Sequence, residues 1–320
     1  MFYIVMAARC FGNKMQLKST DGKVLVIGLG QIGYHNAEYM TKCGLHVDGF
    51  DISEKAVKRA IEDGVIKGST KDFSGYDQYI VSISTHLPSD MFVPYLDGII
   101  EVAEKLAREG KKNALVSLES TITVGTTKRI LEILQHKMHV VHAPHRFYIN
   151  EKEQHGINQS RVIGGCDSCC TELGLDFYKG MLGIPMHPVS DIKLAELSKI
   201  VENSYRFLQI AFAEELKIFC DNAGLDFNEL RQAVNSKWNV QVLEPRDGIG
   251  GHCLPKDSQM FLNAERGMLD NSIIKAAKLV DHEYRKHMSR VVNMNQMQAK
   301  ISAAQGKNPQ DSARTAGGYT

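Results

Sequence analysis

Residues 23–33 read KVLVIGLGQIG, a short apolar run followed by a glycine-rich turn. Gly28 permits a tight turn after a strand, Gly30 lets the backbone approach a pyrophosphate, and Gly33 lets a helix pack closely on the strand. The N-terminus of that helix then faces the negative charge of the phosphates. Asp51 stands 18 residues after Gly33, where a carboxylate accepts hydrogen bonds from ribose hydroxyls and repels a 2′-phosphate. The pattern predicts a dinucleotide site that takes NAD rather than NADP.

The glycine pattern has a simpler interpretation, because such a turn also occurs in α/β domains that bind no nucleotide. Its position after an apolar strand and before a helical pattern favours the dinucleotide site. We also count Ile32, inside the turn, and Thr85, just after a later predicted strand, as candidate cofactor contacts.

Strands and helices alternate along the first half of the chain. Strands are predicted at 23–27, 45–51, 78–84, 114–118 and 138–142, and helices at 31–42, 54–62, 97–108 and 126–134. This alternation is typical of a parallel sheet with helices on both faces and right-handed crossovers. The predicted fold class is α/β, with a doubly wound Rossmann domain over residues 23–189 after an N-terminal extension at 1–22.

The composition changes near Ser190. Residues 191–223 contain no glycine or proline and carry apolar residues at helical spacing, which predicts one long helix capped by Asp191 and ended by Gly224. The helix is either a plain core helix or a connector that presents a face to a second subunit, and we predict a homodimer. Shorter helices are predicted at 226–234 and 272–284, within a helical central domain at 190–290. A disordered tail is predicted at 291–320.

Composition excludes several classes of partner. The chain has 320 residues and a net charge of +1, so no global field favours nucleic acid or an anionic membrane. No apolar run is long enough to span a bilayer.

Seven cysteines without a repeated framework indicate reduced thiols and a cytoplasmic protein. Cys166, Cys169 and Cys170 suggest a metal, but no second Cys or His pair matches them in spacing, and the histidines at 142, 145 and 155 fit no common site. We therefore predict no metal.

Residues 248–257 read GIGGHCLPKD and surround one cysteine with three glycines. Glycines free the backbone to present Cys253 in a cleft, and His252 and Lys256 are placed to lower the pKa of its thiol. Asp257 lies one helical turn further on if a helix begins there, where it can handle protons. The alternative is a buried structural cysteine that acts as a small hydrophobe.

Lys199 and Asn203 are four residues apart on the long helix and share one face with Glu196 and Arg206. A lysine and an amide together can hold a developing oxyanion, although a solvated polar stripe is the more common use of such residues.

Residues 119–127, ESTITVGTT, follow a predicted parallel strand. Their hydroxyls can position a water or the nicotinamide ribose, and can also cap the next helix.

Together these motifs resemble the UDP-glucose/GDP-mannose dehydrogenase family, especially the branch that acts on UDP-N-acetylhexosamines such as UDP-N-acetylmannosamine. The resemblance covers residues 23–290 and implies an oxidoreductase of polysaccharide biosynthesis that oxidises the C6 alcohol of a nucleotide sugar twice, reducing two NAD. It implies that Cys253 forms a thiohemiacetal and then a thioester. Lys199 and Asn203 would hold the oxyanion, and Asp257 and Thr121 would manage water and protons.

The chain departs from the family pattern at two places. The family usually has a glutamate after the proline where this chain has His145 in the segment Ala143-Pro144-His145-Arg146. Family members also continue beyond the position of Arg290 into a third domain that grips the nucleotide of the substrate. The sequence thus leaves a second hypothesis open, an NAD-binding dimerisation module that lacks full activity. A β-hydroxyacid dehydrogenase is disfavoured because its chemistry needs no cysteine nucleophile.

Overall fold

A computed structural model describes residues 22–87 and 89–305, which divide into two compact units. The first unit holds residues 22–87, 89–204 and 252–268, and the second holds residues 205–251 and 269–305. The boundary between the units therefore falls inside the long helix, whereas the composition of the sequence places it at residue 190. The cysteine motif from His252 onward belongs to the first unit, because its helix packs beside a strand of that unit.

The first unit contains the strands and most of the shorter helices. Its strands are β1 (Lys23–Ile27), β2 (His46–Phe50), β3 (Gly68–Ser69), β4 (Gln78–Val81), β5 (His86–Leu87), β6 (Asp90–Pro94), β7 (Leu115–Leu118), β8 (His139–His142), β9 (Arg161–Gly165) and β10 (Met186–Pro188). Its helices are α1 (Gln31–Lys42), α2 (Glu54–Glu62), α3 (Asp97–Glu109), α4 (Thr126–Ile133), α5 (Ser168–Leu175) and α8 (Cys253–Ala264). The first turns of α6 (Ile192–Ala223), up to Ser204, also belong to this unit.

Eight of the described strands form one sheet in the order β10-β9-β8-β7-β4-β1-β2-β3, and β5 pairs with β6 in a separate hairpin. All neighbours in the large sheet are parallel except β8 and β9, which are antiparallel. The central strands are buried and almost wholly apolar, since helices cover both faces. The predicted α/β class with a parallel sheet is confirmed.

Strand register brings the carboxyl ends of the central strands to one edge. Ile27 pairs with Phe50 and Val81, Val81 pairs with Leu118, and Leu118 pairs with His142. The loops that follow these strands therefore meet at the same edge. In open α/β sheets that edge is where ligands bind.

The structure also contains elements that the sequence pattern does not indicate, namely β3, the β5–β6 hairpin, β9, β10 and α5. Strands of two or three residues, such as β5 and β10, are too short to show an alternation of apolar and polar side chains. The strand predicted at 23–27 agrees with β1, and the other four predicted strands are one to three residues too long at their ends, which is the usual uncertainty of an element boundary.

The second unit is built from helices, the remainder of α6 with α7 (Phe227–Asn235) and α9 (Ile273–Gln305). The predicted ends of α6 agree with its geometry. Asp191 accepts a hydrogen bond from the backbone N–H of Lys193 at 2.9 Å, and Gly224 leaves the helix with a φ of 67°.

Helix α9 extends further than the sequence pattern indicates. Residues 291–305 are helical, although the sequence analysis places them in a disordered tail. The segment has no glycine or proline before Gly306 and is rich in Gln, Ala and Met, which favour helix even where they form no regular apolar stripe. The rest of the predicted tail, 306–320, and most of the N-terminal extension, 1–21, lie outside the described residues.

In the described part of the chain, no helix combines the length and the apolar character that a bilayer crossing requires.

Candidate active site

The glycine turn has the geometry that its sequence predicts. Gly28 adopts a φ of 92°, which favours glycine, and its N–H donates to the carbonyl of Phe50 at 2.8 Å. A Cβ on Gly33 would stand 1.7 Å from the Gly28 carbonyl oxygen, so only glycine lets α1 pack this closely on the turn. A Cβ on Gly30 would meet no atom within 4 Å and would occupy the open space in front of the α1 N-terminus.

Asp51 lies beside this turn, just after β2. Its Oδ2 accepts a hydrogen bond from the Leu29 N–H at 2.6 Å, and its Oδ1 accepts one from the Ser53 N–H at 2.7 Å. The carboxylate is thereby fixed in place, and each of its oxygens keeps further acceptor capacity for a ribose hydroxyl.

An open cleft of about 460 Å³ lies next to the turn. It is lined by Gly30, Tyr34, Lys55 and Arg59, among others, and the Arg59 guanidinium stacks 4.3 Å above the Tyr34 ring. Open space at Gly30, unpaired helix N–H groups and a fixed acidic acceptor are what a dinucleotide with a pyrophosphate requires. These residues fit NAD.

The loops after β4 and β7 are joined at the same edge of the sheet. Thr85 is buried, and its hydroxyl donates to the backbone carbonyl of Thr121 at 2.7 Å, while the Ser120 hydroxyl donates to the carbonyl of Ile83 at 2.6 Å. Thr85 therefore holds the loop that carries Thr121. Ile32 is half-buried in the glycine turn. A direct contact of Thr85 or Ile32 with the cofactor stays a prediction.

Cys253 is the first residue of α8 and is exposed. Its Sγ lies 3.5 Å from Nε2 of His252. Surrounding protein atoms desolvate the thiol and raise its pKa, and Asp257 raises it further, while the charges of Lys256 and Lys199 lower it. Lys256 thus lowers the pKa of the thiol, as the sequence predicts, but desolvation outweighs both lysines and the net shift of the pKa is upward.

Asp257 lies one turn further along α8, as the sequence predicts, and is buried. The Lys256 ammonium stands 2.7 Å from its Oδ1, and the amide of Asn203 donates to its Oδ2 at 2.5 Å. This hydrogen bond joins α6 to α8 across 54 residues of sequence. Cys253, Asp257 and Asn203 are thus brought into one place, although they belong to two distant motifs.

The polar face of α6 is not a solvated stripe within the first unit. Lys199 is half-buried, and its charge lowers the pKa of both the Cys253 thiol and the His145 imidazole, so it lies near both groups. Glu196 is fully buried, and its carboxylate accepts from the Gly125 N–H at 2.6 Å and the Thr127 N–H at 2.8 Å. Glu196 thereby caps α4 from a neighbouring helix, a role that its position in the sequence does not indicate.

Glu119, the residue after β7, is the centre of a buried polar network. Its carboxylate contacts His145 Nε2 at 2.5 Å, the Tyr178 hydroxyl at 2.5 Å and Arg161 at 3.3 Å, and also accepts from Asn36. Burial alone would raise the pKa of Glu119, but His145 and Arg161 lower it to about 2. Arg161 is a permanent cation, so Glu119 is ionised and the two side chains form a buried ion pair.

His145 occupies the position where the family usually has a glutamate, and it is held in this network. Burial lowers the pKa of His145, and the charge of Arg161 lowers it further, so the ring is neutral near pH 7. A histidine can act as a base near neutral pH, but the Nε2 of His145 lies against Glu119 and Arg161.

The side chain of Thr121 is not joined to the cysteine group by a hydrogen bond among the residues described. Its described contact is the carbonyl that Thr85 holds. A residue that the sequence analysis does not consider lies closer to the cysteine motif. The ring of His86, in the β5–β6 hairpin, lies 5.4 Å from the ring of His252 at a tilt of 53°, and burial lowers the pKa of His86, as do the charges of His252 and Lys256.

Comparison with known proteins agrees with this geometry. Residues 54–182 match the NAD binding domain of the UDP-glucose/GDP-mannose dehydrogenase family, and residues 193–283 match the central domain of the same family. The UDP-N-acetyl-D-mannosamine dehydrogenase of Campylobacter jejuni is 29% identical over 293 residues, which cover 81% of this chain and 71% of that protein. The enzyme of the same name from Escherichia coli (strain K12) is 30% identical over 294 residues, covering 81% and 69%.

A solved structure shares the fold. The UDP-D-ManNAc dehydrogenase of Pyrococcus horikoshii superposes with a TM-score of 0.75 at 24% identity, covering 87% of this chain and 72% of that one. The fold and the site define an NAD-dependent oxidoreductase that acts on nucleotide sugars. The chain belongs to the UDP-glucose/GDP-mannose dehydrogenase family, and its cofactor is NAD.

Proposed function

We propose that this protein oxidises the C6 alcohol of a UDP-N-acetylhexosamine to the uronic acid in two steps. The preferred substrate in this proposal is UDP-N-acetyl-D-mannosamine. The observation that carries the proposal is the group formed by Cys253, Asp257 and Asn203, which two separate motifs bring together. A thiol nucleophile is needed when an aldehyde must become an acid, and a single alcohol oxidation needs none.

The cysteine acts after the first oxidation. The Sγ of Cys253 adds to the C6 aldehyde to form a thiohemiacetal, and loss of a second hydride converts that adduct to a thioester. NAD, held at the turn of Gly28, Gly30 and Gly33, would supply the hydride acceptor for both oxidations, so one sugar would yield two NADH. Water then cleaves the thioester and releases the uronate and the free thiol.

Polar groups around Cys253 stabilise charge on the substrate. Lys199 supplies a positive charge near the thiol. The Asn203 amide donates one N–H to Asp257 and has a second N–H to donate to the oxygen at C6. Asp257 stands one turn from the nucleophile and takes the proton of the attacking water, and we assign Thr121 to the positioning of that water. Lys256, ion-paired with Asp257, holds the carboxylate in place.

We further propose a cytoplasmic homodimer. Exposed aromatic side chains recur every seven residues along the part of α6 in the second unit, with Tyr205 at 61%, Phe212 at 57% and Phe219 at 58% exposure. A spacing of two helical turns places them on one face, and a large exposed apolar stripe is typical of a subunit interface. Light scattering distinguishes the mass of one 35.7 kDa chain from that of two, and a monomer at micromolar concentration would contradict this proposal.

The test of the proposed reaction is the ratio of NADH to uronate. Purified protein is incubated with NAD and, separately, with UDP-N-acetylmannosamine, UDP-N-acetylglucosamine, UDP-glucose and GDP-mannose. NADH is measured by absorbance and the sugar product by mass spectrometry. We expect two NADH per UDP-uronate and at least a tenfold higher kcat/KM for UDP-N-acetylmannosamine, since a pocket that hydrogen-bonds one stereochemistry discriminates strongly against another.

Three results would contradict the proposal. One NADH per sugar with an aldehyde product would show a single oxidation, and a preference for another nucleotide sugar would overturn the substrate assignment. NAD binding without turnover of any sugar would favour the hypothesis of an NAD-binding dimerisation module.

A further inference from the structure

Three potential metal ligands converge at the edge of the sheet opposite the cofactor site. His139 is the first residue of β8, whereas Cys169 and Cys170 lie in the first turn of α5. The Nδ1 of His139 stands 3.7 Å from the Sγ of Cys169 and 3.6 Å from the Sγ of Cys170. All three ligand atoms lie within 4.8 Å of one another.

The topology of the sheet explains why these residues meet. Strand β9 is antiparallel to β8, with Val141 opposite Gly165. The end of β9 therefore lies near the beginning of β8, and the helix that follows β9 starts there. The backbone N–H of Cys166 donates to the carbonyl of Val140 at 3.1 Å, which fixes this arrangement. The cysteine pair thus reaches a histidine that is thirty residues away in sequence.

The distances fit a tetrahedral metal. Zn²⁺ lies about 2.3 Å from a thiolate and about 2.0 Å from an imidazole nitrogen, so two such ligands on one ion are roughly 3.5–3.6 Å apart. The two measured sulfur–nitrogen distances are close to this value. A histidine and two thiols form a borderline-soft ligand set that suits Zn²⁺ and excludes Ca²⁺ and Mg²⁺, which require oxygen.

A carboxylate stands next to the three. Asp167 is exposed and caps α5 by accepting from the Cys170 N–H at 2.8 Å, and its Oδ1 also lies 3.1 Å from the Sγ of Cys169. Asp167 is not one of the three residues whose ligand atoms lie within 4.8 Å of one another. The fourth position of a tetrahedral site can therefore be taken by a water, or by the Asp167 carboxylate after its side chain rotates.

We propose that His139, Cys169 and Cys170 bind a zinc ion that joins β8 to α5, with a water or the Asp167 carboxylate as the fourth ligand. The site is separate from the cofactor turn and from Cys253, because it lies at the start of β8 rather than at its carboxyl end. It does not depend on the proposed reaction. The sequence analysis predicts no metal because it looks for a second ligand pair at a regular spacing, and His139 has none.

The test uses Co²⁺ as a spectroscopic probe for Zn²⁺. The full chain is dialysed against EDTA under reducing conditions and titrated with Co²⁺. We expect one ion per chain, with the strong visible bands of tetrahedral Co²⁺ and a thiolate charge-transfer band in the near ultraviolet. Equimolar Zn²⁺ should remove these bands. His139→Gln and Cys169→Ser should each weaken Co²⁺ affinity at least tenfold, because each removes one ligand.

Matched controls separate this site from the other thiols. Cys166→Ser removes a half-buried cysteine of the same segment that is not in the ligand group, and Cys253→Ser removes the exposed cysteine of the active site. Both variants should keep the Co²⁺ spectrum. Circular dichroism verifies that each variant is folded, and Cys169→Ser is the informative variant if the more buried Cys170→Ser does not fold.

Several outcomes would overturn the proposal. Co²⁺ bands that persist in His139→Gln and Cys169→Ser, or that vanish in Cys253→Ser, would place the metal elsewhere. An octahedral Co²⁺ spectrum without a charge-transfer band would show that thiolates are not ligands. Thiol titration that finds Cys169 and Cys170 joined as a disulfide in the protein as purified would assign the pair to redox chemistry instead.

Discussion

Replacement of Cys253 by serine is expected to reduce the rate of uronate formation at least a thousandfold. A serine hydroxyl adds poorly to an aldehyde without a strong adjacent base, and loss of a nucleophile typically costs several orders of magnitude in kcat. The side chain is exposed at the start of α8, so the variant should fold and bind NAD as the wild type does. Uronate and aldehyde are measured by mass spectrometry, and NAD affinity by titration.

The matched control is Cys166→Ser, which removes a half-buried thiol of the segment that follows β9 and should keep full activity. Uronate formation by Cys253→Ser at more than a tenth of the wild-type rate would contradict a thioester mechanism. A slow variant that has also lost NAD affinity would indicate a structural role for Cys253.

The rate of the wild-type enzyme should also depend on pH. Desolvation, with the added charge of Asp257, raises the pKa of the Cys253 thiol, so the thiol is mostly protonated near neutral pH. Because the thiolate is the nucleophile, the rate of the second oxidation should increase as pH rises through that pKa. A rate that is already constant from pH 6 upward would contradict this direction of shift.

Alanine at Gly33 and alanine at Gly30 are expected to abolish NAD binding by different routes. The Cβ of Gly33→Ala would stand 1.7 Å from the Gly28 carbonyl oxygen, so α1 must move away from the turn. We expect a loss of about 3 kcal/mol or more in unfolding free energy, at the upper end of overpacking effects. The Cβ of Gly30→Ala meets nothing within 4 Å, so that variant should stay within about 1 kcal/mol of the wild type.

Both variants should bind NAD at least a hundredfold more weakly. Gly33→Ala displaces the helix whose N-terminus faces the phosphates, and the methyl group of Gly30→Ala fills the space that the pyrophosphate needs. Unfolding is measured without cofactor, and NAD affinity is measured by titration. Gly30→Ala that binds NAD as tightly as the wild type would show that the phosphates do not approach this turn. A stable Gly33→Ala would show that α1 tolerates a wider separation from β1.

Local patterns in the sequence predict most of the sheet and its cofactor turn. The apolar strands, the three glycines and Asp51 lie close together in sequence, and each has one physical requirement that few other residues satisfy. The turn at Gly28, the cap at Asp191 and the position of Asp257 one turn after Cys253 are confirmed for this reason.

The rest of the site depends on contacts that no local pattern contains. The buried pair of Glu119 and Arg161 joins residues 42 positions apart, and the β5–β6 hairpin beside His252 is too short for its period to be visible. The net pKa of Cys253 also depends on desolvation, which the sequence does not reveal. One helix contributes residues to both compact units, which no change of composition along the chain indicates.

Glu196 has a consequence for the angular position of α6. Apolar contacts are non-directional, whereas a hydrogen bond requires close alignment of its donor and its acceptor. The carboxylate of Glu196 is fixed by the N–H groups of Gly125 and Thr127, which follow β7. These hydrogen bonds fix the rotation of α6 about its own axis relative to the sheet. They therefore also set the direction in which Lys199 and Asn203, one and two turns further along, leave the helix.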